Sequence, residues 1–306
     1  VVMQILSSGG YISSMLTGLL VPLCVYSILA VSLNLTVGIL GELSLGQAGF
    51  MCVGAYTSAI FSIVTSETIE NVWIRFPLAI LIGGIIAAVF GILIGIPVLR
   101  LKGDYLAIVT LAFGEIIKNV FAALYLGYDS KGVHVSLKSL SNLNLEPDGK
   151  LILNGPQGIS GTPNDSTFII RDNVIAAESV GLNITKYKLI TFALTAFLAG
   201  CAGALYSHNF YTLQASKFDY NLSILILVFV VLGGIGSIRG SVIAAIVLVL
   251  LPEMLRSINS YRMLIYSIVL IVMMIITSNE KTKTFISANT AKFKALFKRE
   301  KVKEAE

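Results

Sequence analysis

The chain has 306 residues, of which 56% are hydrophobic and only 13% are charged, and its mean hydropathy is +0.85. A soluble domain carries about 25% charged residues because its surface must be hydrated. The composition therefore excludes a soluble globular protein and indicates an integral membrane protein. The net charge of +5 does not indicate nucleic-acid binding, because eight of the 22 Lys and Arg residues lie in the last 26 positions.

Seven apolar stretches are long enough to form transmembrane helices, since about 20 residues at a rise of ~1.5 Å cross the hydrocarbon core. No segments of about ten residues alternate apolar and polar, which disfavours barrel strands. We therefore predict an all-α fold, a polytopic transmembrane helix bundle over residues 1–277, followed by a basic tail, 278–306. The stretches are 11–33, 44–64, 76–99, 105–127, 189–211, 222–256 (interrupted by glycines) and 261–277.

The segment Leu33–Phe50, between the first two predicted spans, combines glycines with polar residues. Such glycines permit sharp turns and close backbone approach. Two interpretations stay open: a simple loop between helices packed through small residues, or non-helical backbone that lines a watery cavity. The glycines are Gly38, Gly41, Gly46 and Gly49, and the polar residues are Asn34, Glu42, Ser44 and Gln47.

Glu115 lies inside the predicted span 105–127, with Lys118 one turn later. An unpaired carboxylate near the bilayer centre costs at least ~2.5 kcal/mol, so it should face the bundle interior and find a partner. An i,i+3 pair with Lys118 would reduce that cost. A structural pair and a residue on a translocation path remain equal alternatives.

The distribution of basic residues predicts the orientation, because cytoplasmic loops are enriched in Lys and Arg. On this rule the linkers 100–104 and 171–188 and the tail after 278 are cytoplasmic, whereas 65–75 and 128–168 are extracytoplasmic.

These assignments conflict in the second half of the chain. The segment 128–168 is outside and 171–188 inside, yet Phe168-Ile169-Ile170 is far too short to cross a membrane. We infer that a transmembrane helix is missing between Thr162 and Arg171.

The stretch 170–188 has the pattern of a short amphipathic helix. Apolar residues recur at helical spacing, and Gly181 suits a helix C-terminus. Such a helix before a span either lies on the lipid surface or docks into a partner. The near-zero net charge of the stretch disfavours lipid.

A second glycine-rich interruption, Gly233–Gly240, divides the span 222–256. It resembles Leu33–Phe50 in pattern, and paired discontinuous helices in two halves of a chain indicate a transporter's central site. We therefore predict a translocation path that includes Ser44, Gly46, Gln47, Glu115, Gly233, Gly234 and Ser237.

Little in the sequence suggests an enzyme. Cys24, Cys52 and Cys201 lie far apart in apolar runs, and His134 and His208 have no partner at ligand spacing, so we expect no metal or cofactor. No Gly-x-x-x-x-Gly-Lys-Ser/Thr phosphate loop occurs, and no catalytic triad or carboxylate pair stands out. Transport or channel function is the better class.

Taken together, these segments resemble the LivM-type permease subunits of bacterial ABC importers for branched-chain amino acids. The matching parts extend over nearly the whole chain in the family's order, which is more specific than any single motif. They are Ser32–Tyr56, Leu101–Glu115, Gly155–Gly161, Ile170–Lys188, Phe197–Tyr206 and Gly233–Gly240. Two features depart from the family: a span that usually precedes the Ile-Arg-Asp segment is absent, and apolar sequence often precedes the first span.

The resemblance implies a transport subunit of the bacterial inner membrane that has no ATPase site of its own, with its C-terminus in the cytoplasm. The implied partners are a paralogous LivH-type permease subunit, two cytoplasmic ABC ATPase subunits and an extracytoplasmic substrate-binding protein. It also assigns 170–188 as the coupling helix that docks on an ATPase, with the candidate residues Arg171, Asp172, Ala177, Glu178 and Gly181.

Other functions stay open at this level. Relatives with the same architecture carry urea, amides or other small polar solutes, and the sequence of this subunit does not identify the cargo. An ion-coupled secondary transporter would need acidic or amide residues for its coupling ion inside the spans, and Glu115 alone is weak support. A passive channel is the remaining alternative.

Overall fold

The structure is a computed structural model that describes residues 14–66, 68–101, 103–129, 132–137, 143, 149–160, 184–255, 264–265, 267–268 and 271. The chain divides into two compact units, Val1–Val249 and Leu250–Glu306. The sheet, the candidate site and nearly all of the helical bundle belong to the first unit. The second unit contains the end of the last long helix.

Seven long helices make up most of the described residues. Six helical segments are long and apolar enough to cross a membrane, which confirms the predicted polytopic helix bundle. A π-helical turn, Leu35–Ile39, continues the first helix. The helices are α1 (Ser14–Asn34), α2 (Gln47–Val64), α3 (Val72–Val98), α4 (Asp104–Ala123), α5 (Ile184–Asn209), α6 (Tyr220–Gly233) and α7 (Ile238–Met254).

The predicted spans agree with these helices except at some ends. The interruption of 222–256 is confirmed, because α6 ends at Gly233 and α7 begins at Ile238. The span predicted over 105–127 ends at Ala123, since the chain turns there into a strand. Most of the span predicted over 261–277 lies outside the described residues.

Helix α2 is the centre of the bundle, and small residues set its contacts. A Cβ atom added to Gly54 would collide with the backbone of Gly200 in α5, and one added to Gly83 of α3 would lie 2.8 Å from the carbonyl oxygen of Gly54. Lipid tails are as apolar as side chains, so close packing of this kind replaces the hydrophobic effect between membrane helices. The glycines therefore hold α2, α3 and α5 together.

Aromatic contacts fix the direction of α2 relative to α4. Tyr56 of α2 stacks on Phe121 of α4 with ring centroids 4.5 Å apart, whereas Gly46, just before α2, lies against Thr110 near the start of α4. The two helices therefore run parallel. The Tyr56 hydroxyl also donates to the carbonyl oxygen of Leu213 (3.3 Å), beyond the end of α5.

A small antiparallel sheet covers the end of the bundle at which α2, α4 and α5 finish. Its five strands lie in the order β2-β1-β3-β4-β5, and a 3₁₀ turn, Gly155–Gln157, joins the third to the fourth. The sequence predicted only a polar loop here. The strands are β1 (Tyr125–Asp129), β2 (Gly132–Ser136), β3 (Lys150–Asn154), β4 (Ile159–Ser160) and β5 (Thr212–Leu213).

The chain changes ends between β4 and α5. Ser160 pairs with Thr212, which follows the last residue of α5. Ile184 begins the same helix, which has 26 residues, and 26 residues at ~1.5 Å each separate the two ends by about 39 Å. Residues 161–183 lie outside the described residues. They include the point at which a span is inferred to be missing and most of the predicted coupling segment.

Candidate functional site

The two glycine-rich interruptions are in direct contact. We call Leu35–Gly46, the π-helical turn and the segment that leads from it to α2, the first break, and Gly234–Ser237, between α6 and α7, the second break. Asn34, which is 1% exposed, connects the two regions. Its Nδ2 donates to Ser241 Oγ (2.9 Å), and its Oδ1 accepts from the backbone N–H of Gly236 (2.8 Å).

Glycine is required on both sides of this contact. A Cβ atom on Gly38 would lie 2.5 Å from the amide nitrogen of Gly236 and 2.6 Å from its Cα atom. Gly234 and Gly236 have φ values of +93° and +83°, which side chains disfavour. The space around Gly234 is otherwise open, because its nearest neighbour would be Ser237 Cβ at 3.8 Å. Gly234 is therefore needed for backbone conformation, and Gly38 for close approach.

Hydroxyl groups satisfy the backbone where α2 begins. Thr110 Oγ1 accepts from the N–H of Leu45 (3.0 Å), and Ser223 Oγ accepts from the N–H of Ala48 (3.2 Å). A helix start exposes N–H groups without intrahelical partners. Neutral oxygens from α4 and α6 occupy two of them here, which reduces the capacity of this helix end to bind an anion.

Ser44, Gly46 and Gln47 are all buried within the subunit. Ser32 Oγ lies 3.2 Å from Gln47 Oε1 and 2.7 Å from the carbonyl oxygen of Thr195, to either of which it can donate. Thr195 is near the middle of α5, so the start of α2 lies deep inside the bundle. The second break differs, because residues 235–239 are exposed on the subunit surface.

Three buried oxygens in the first break have no hydrogen-bond partner among the described residues. They are Thr36 Oγ1, Glu42 Oε2 and Ser44 Oγ. A buried polar atom without a partner costs about 1–3 kcal/mol. Native proteins contain few of them, and water or a functional role often explains those that occur. The region therefore has hydrogen-bonding capacity that the subunit itself does not use.

Glu115 has two partners. It forms the predicted i,i+3 ion pair with Lys118, which the structure confirms. Its Oε1 also accepts from the N–H of Tyr220 (3.0 Å), the first residue of α6, while Asp219 caps the same helix through the N–H of Leu222 (3.1 Å). A carboxylate at a helix N-terminus is favourable. Glu115 therefore fastens α4 to the start of α6.

A second ion pair was not predicted from the sequence. Lys188, near the start of α5, contacts Glu42 of the first break, 146 residues earlier in the chain. The roles of Asn34, Thr110 and Ser223 were missed as well. The available signal was a buried amide or hydroxyl in an otherwise apolar span, which marks a residue as partnered but does not identify the partner.

The remaining residues predicted from the sequence add little to the candidate site. The coupling candidates Arg171, Asp172, Ala177, Glu178 and Gly181 lie outside the described residues. His134 Nε2 lies 3.0 Å from Asp129 Oδ2 within the sheet. Across the part of the chain that the structure describes, no three His, Cys, Asp or Glu residues are grouped to hold a metal ion.

Comparisons with known proteins agree on one family. The family model described as "Branched-chain amino acid transport system / permease component" matches residues 15–136 and 166–278. The chain is 33% identical over 287 residues to the "High-affinity branched-chain amino acid transport system permease protein LivM" of Salmonella typhimurium. It is 31% identical over 293 residues to the protein of the same name from Escherichia coli K12. Each alignment covers 82% of this chain and 66% of the relative. No solved structure gives a significant match.

Proposed function

This chain belongs to the family of permease components of branched-chain amino acid transport systems, and on that premise we propose that it is the membrane-spanning permease subunit of an ABC importer. Its cargo is leucine, isoleucine and valine, carried across the bacterial inner membrane. ATP is hydrolysed on separate subunits. The observation that carries the proposal is the contact of the two helix breaks at Gly38 and Gly236, where the buried amide of Asn34 also binds Gly236.

Paired breaks suit this cargo for a physical reason. A zwitterion cannot leave both charges unsolvated in hydrocarbon without a large free-energy penalty. Broken helices offer backbone and hydroxyl groups at depth without an unpaired ionised side chain. The carboxylates of Glu42 and Glu115 each have a lysine partner, which supports an ATP-driven importer over an ion-coupled transporter.

We assign the predicted path residues to two roles. Gly233, Gly234 and Ser237 form or border the exposed second break, which the cargo contacts. Ser44, Gly46 and Gln47 form the buried wall behind it, and Glu115 keeps α6 in place at one end of the path. An apolar side chain needs only the apolar surface that the spans provide.

The partners follow from the same premise. A LivH-type permease subunit completes the path, an extracytoplasmic binding protein delivers the cargo, and two ABC ATPase subunits supply energy. The coupling segment 170–188 docks on an ATPase through Arg171, Asp172, Ala177, Glu178 and Gly181. We place this segment and the C-terminus in the cytoplasm.

We also propose that the natural gene encodes about 20 or more further residues, mostly apolar, between Thr162 and Arg171, because a bilayer span requires that length. The positions of Ser160 and Ile184 at opposite ends of α5 support this. Intact-mass measurement of the protein from its natural source tests it. A mass near 32.8 kDa, with no additional residues there, contradicts the proposal.

Reconstitution tests the function directly. The subunit is purified with the chains that accompany it in its native host, placed in lipid vesicles with the binding protein, and supplied with radiolabelled leucine or urea. We expect uptake of leucine, not urea, that requires ATP and persists without ion gradients. Purification without an ATPase, together with uptake that follows an ion gradient, would contradict it.

Two pairs of variants test the assigned roles. Gly46→Leu, whose Cβ atom would lie 3.0 Å from the carbonyl oxygen of Thr110, and Gly234→Leu should stop leucine uptake while the complex still assembles. Leucine uptake at the parent rate in both variants would refute the path assignment.

Glu178→Arg and Gly181→Trp should weaken the retention of the ATPase subunits on the purified complex. Normal retention together with normal leucine uptake would refute the docking role of the coupling segment.

A further inference from the structure

We propose that the ion pair between Glu42 and Lys188 is the internal link through which movement of the start of α5 reaches the first break. The inference rests on the proposed function. It makes Glu42 and Lys188 positioning residues, which act on the path through the backbone of the break and do not contact the cargo.

Lys188 is in the right position for this role. The described part of α5 begins at Ile184, so the lysine lies within the last residues of the proposed coupling segment, 170–188. Gly95 of α3 packs against Leu189, which places this end of α5 beside the end of α3 and away from the sheet. A displacement of this end of α5 therefore acts directly on Lys188.

Glu42 connects that displacement to the first break. Its backbone N–H donates to the carbonyl oxygen of Thr36 (3.3 Å), at the π-helical turn that carries Gly38. Gly38 in turn packs against Gly236 of the second break. A pull on the Glu42 side chain is thus applied to the backbone that joins both breaks.

The pair is neither fully exposed nor fully satisfied. The side chains of Glu42 and Lys188 are 15% and 31% exposed, so water screens their attraction less than it does on an open surface. Glu42 Oε2 is buried without a partner among the described residues. The lysine therefore supplies the main compensation for this carboxylate, and the carboxylate follows the lysine when α5 moves.

Experiments can distinguish a coupling role of the Glu42–Lys188 pair from a purely structural role. Glu42→Gln and Lys188→Gln each remove one charge, and the double variant Glu42→Gln/Lys188→Gln removes both and closes the double-mutant cycle. A second double variant, Glu42→Lys/Lys188→Glu, restores a pair with reversed polarity. Lys217→Gln removes an exposed lysine that forms no ion pair with the described residues, and it serves as the control. ATP hydrolysis and leucine uptake are measured in the same vesicles, and thermal unfolding is measured on the isolated subunit.

We expect each single variant to hydrolyse ATP but to lower the uptake per ATP about tenfold. The reversed pair should recover most of the ratio, and the control should keep it. In the isolated subunit, the two single variants should lower Tm non-additively, by about 2 °C or more.

Two results would overturn the inference: additive Tm changes, which mean that the pair does not form, or non-additive changes with an unaltered uptake per ATP, which make it structural only. A parent complex with no ATP-dependent uptake contradicts the proposed function instead, while the Tm comparison still reports on the pair.

Discussion

The two breaks interrupt the helices in similar ways but satisfy their polar groups differently. The second break is a turn of glycines with positive φ, and Asn34 binds its backbone. The first break is buried or half-buried except at Ile39 and Gly41, and it leaves the oxygens of Thr36, Glu42 and Ser44 without partners among the described residues. The second break is thus held by its glycine conformations and by Asn34, whereas the first retains unused capacity to bind water or to rearrange.

The largest expected effect comes from the contact between the breaks. Gly38→Ala would place a methyl group 2.5 Å from the amide nitrogen of Gly236, and backbone cannot move aside as a side chain can. Overpacking of this kind costs about 3 kcal/mol, so we expect a clear loss of Tm and no leucine uptake. Thermal unfolding in detergent can be followed with a thiol-reactive dye, because Cys52 is buried.

Gly18→Ala is the control for that variant, since a Cβ atom on Gly18 meets nothing within 4 Å. It should unfold and transport like the parent. Equal behaviour of the two variants would mean that the breaks do not pack against each other.

Removing the amide that joins the breaks should have the next largest effect. Asn34→Leu eliminates both hydrogen bonds, to Ser241 and Gly236, and should cost about 2 kcal/mol. Ser241→Ala removes the bond from Asn34 and the bond that Ser241 Oγ donates to the carbonyl oxygen of Ser237 (3.0 Å), but it keeps the bond to Gly236. A serine bond to the carbonyl oxygen four residues earlier in a helix does not add stability, so the cost should be about half. If Ser241→Ala destabilises the subunit as much as Asn34→Leu, the bond to Gly236 contributes nothing.

Backbone conformation separates the breaks further. Gly234→Ala places a side chain at φ +93° with no collision, so we expect a strain cost of about 1.5 kcal/mol and a reduced leucine uptake. Gly41→Ala is its counterpart in the first break, at φ +67° in open space. Because Gly41 is not held by the other break, its variant should lose about 1 kcal/mol and keep uptake near the parent value.

The smallest effect on stability should have the opposite sign. Thr36→Val and Ser44→Ala each remove a buried hydroxyl without a described partner, and should stabilise the subunit by up to about 1 kcal/mol. Leucine uptake should nevertheless fall, because these hydroxyls are available to water in the wall of the path.

Ser62→Ala is matched to those variants. Its hydroxyl is also buried without a described partner, but it lies near the far end of α2. It should gain stability and keep uptake. If leucine uptake is unchanged in all three variants, the unpartnered oxygens of the first break are imperfections of packing that have no role in transport.

The sequence predicts the helices well because length and apolar content are enough to identify a span. It also predicts the Glu115–Lys118 pair, since residues three apart on a helix are neighbours. The glycine clusters correctly locate both interruptions. These features depend on local sequence, and the structure contains them within a few residues of the expected positions.

The features that sequence reasoning missed depend on contacts between distant segments. The strand Tyr125–Asp129 follows α4 without a polar gap, so its apolar residues are counted with the preceding span. Glu42 and Lys188 are 146 residues apart, and no periodicity connects them. That Asn34 joins the two breaks follows only once α1, α6 and α7 are packed together.

The sheet has a consequence for the order in which the protein is made. Strands β1 to β4 are synthesised before α5, but β5 emerges only after all 26 residues of that helix. Until then β4 is an open edge, a template for wrong pairing. Its length of two residues limits that risk. The last strand therefore joins the sheet only in chains in which the whole of α5 has already been synthesised, and the sheet is among the last parts of this end of the bundle to be completed.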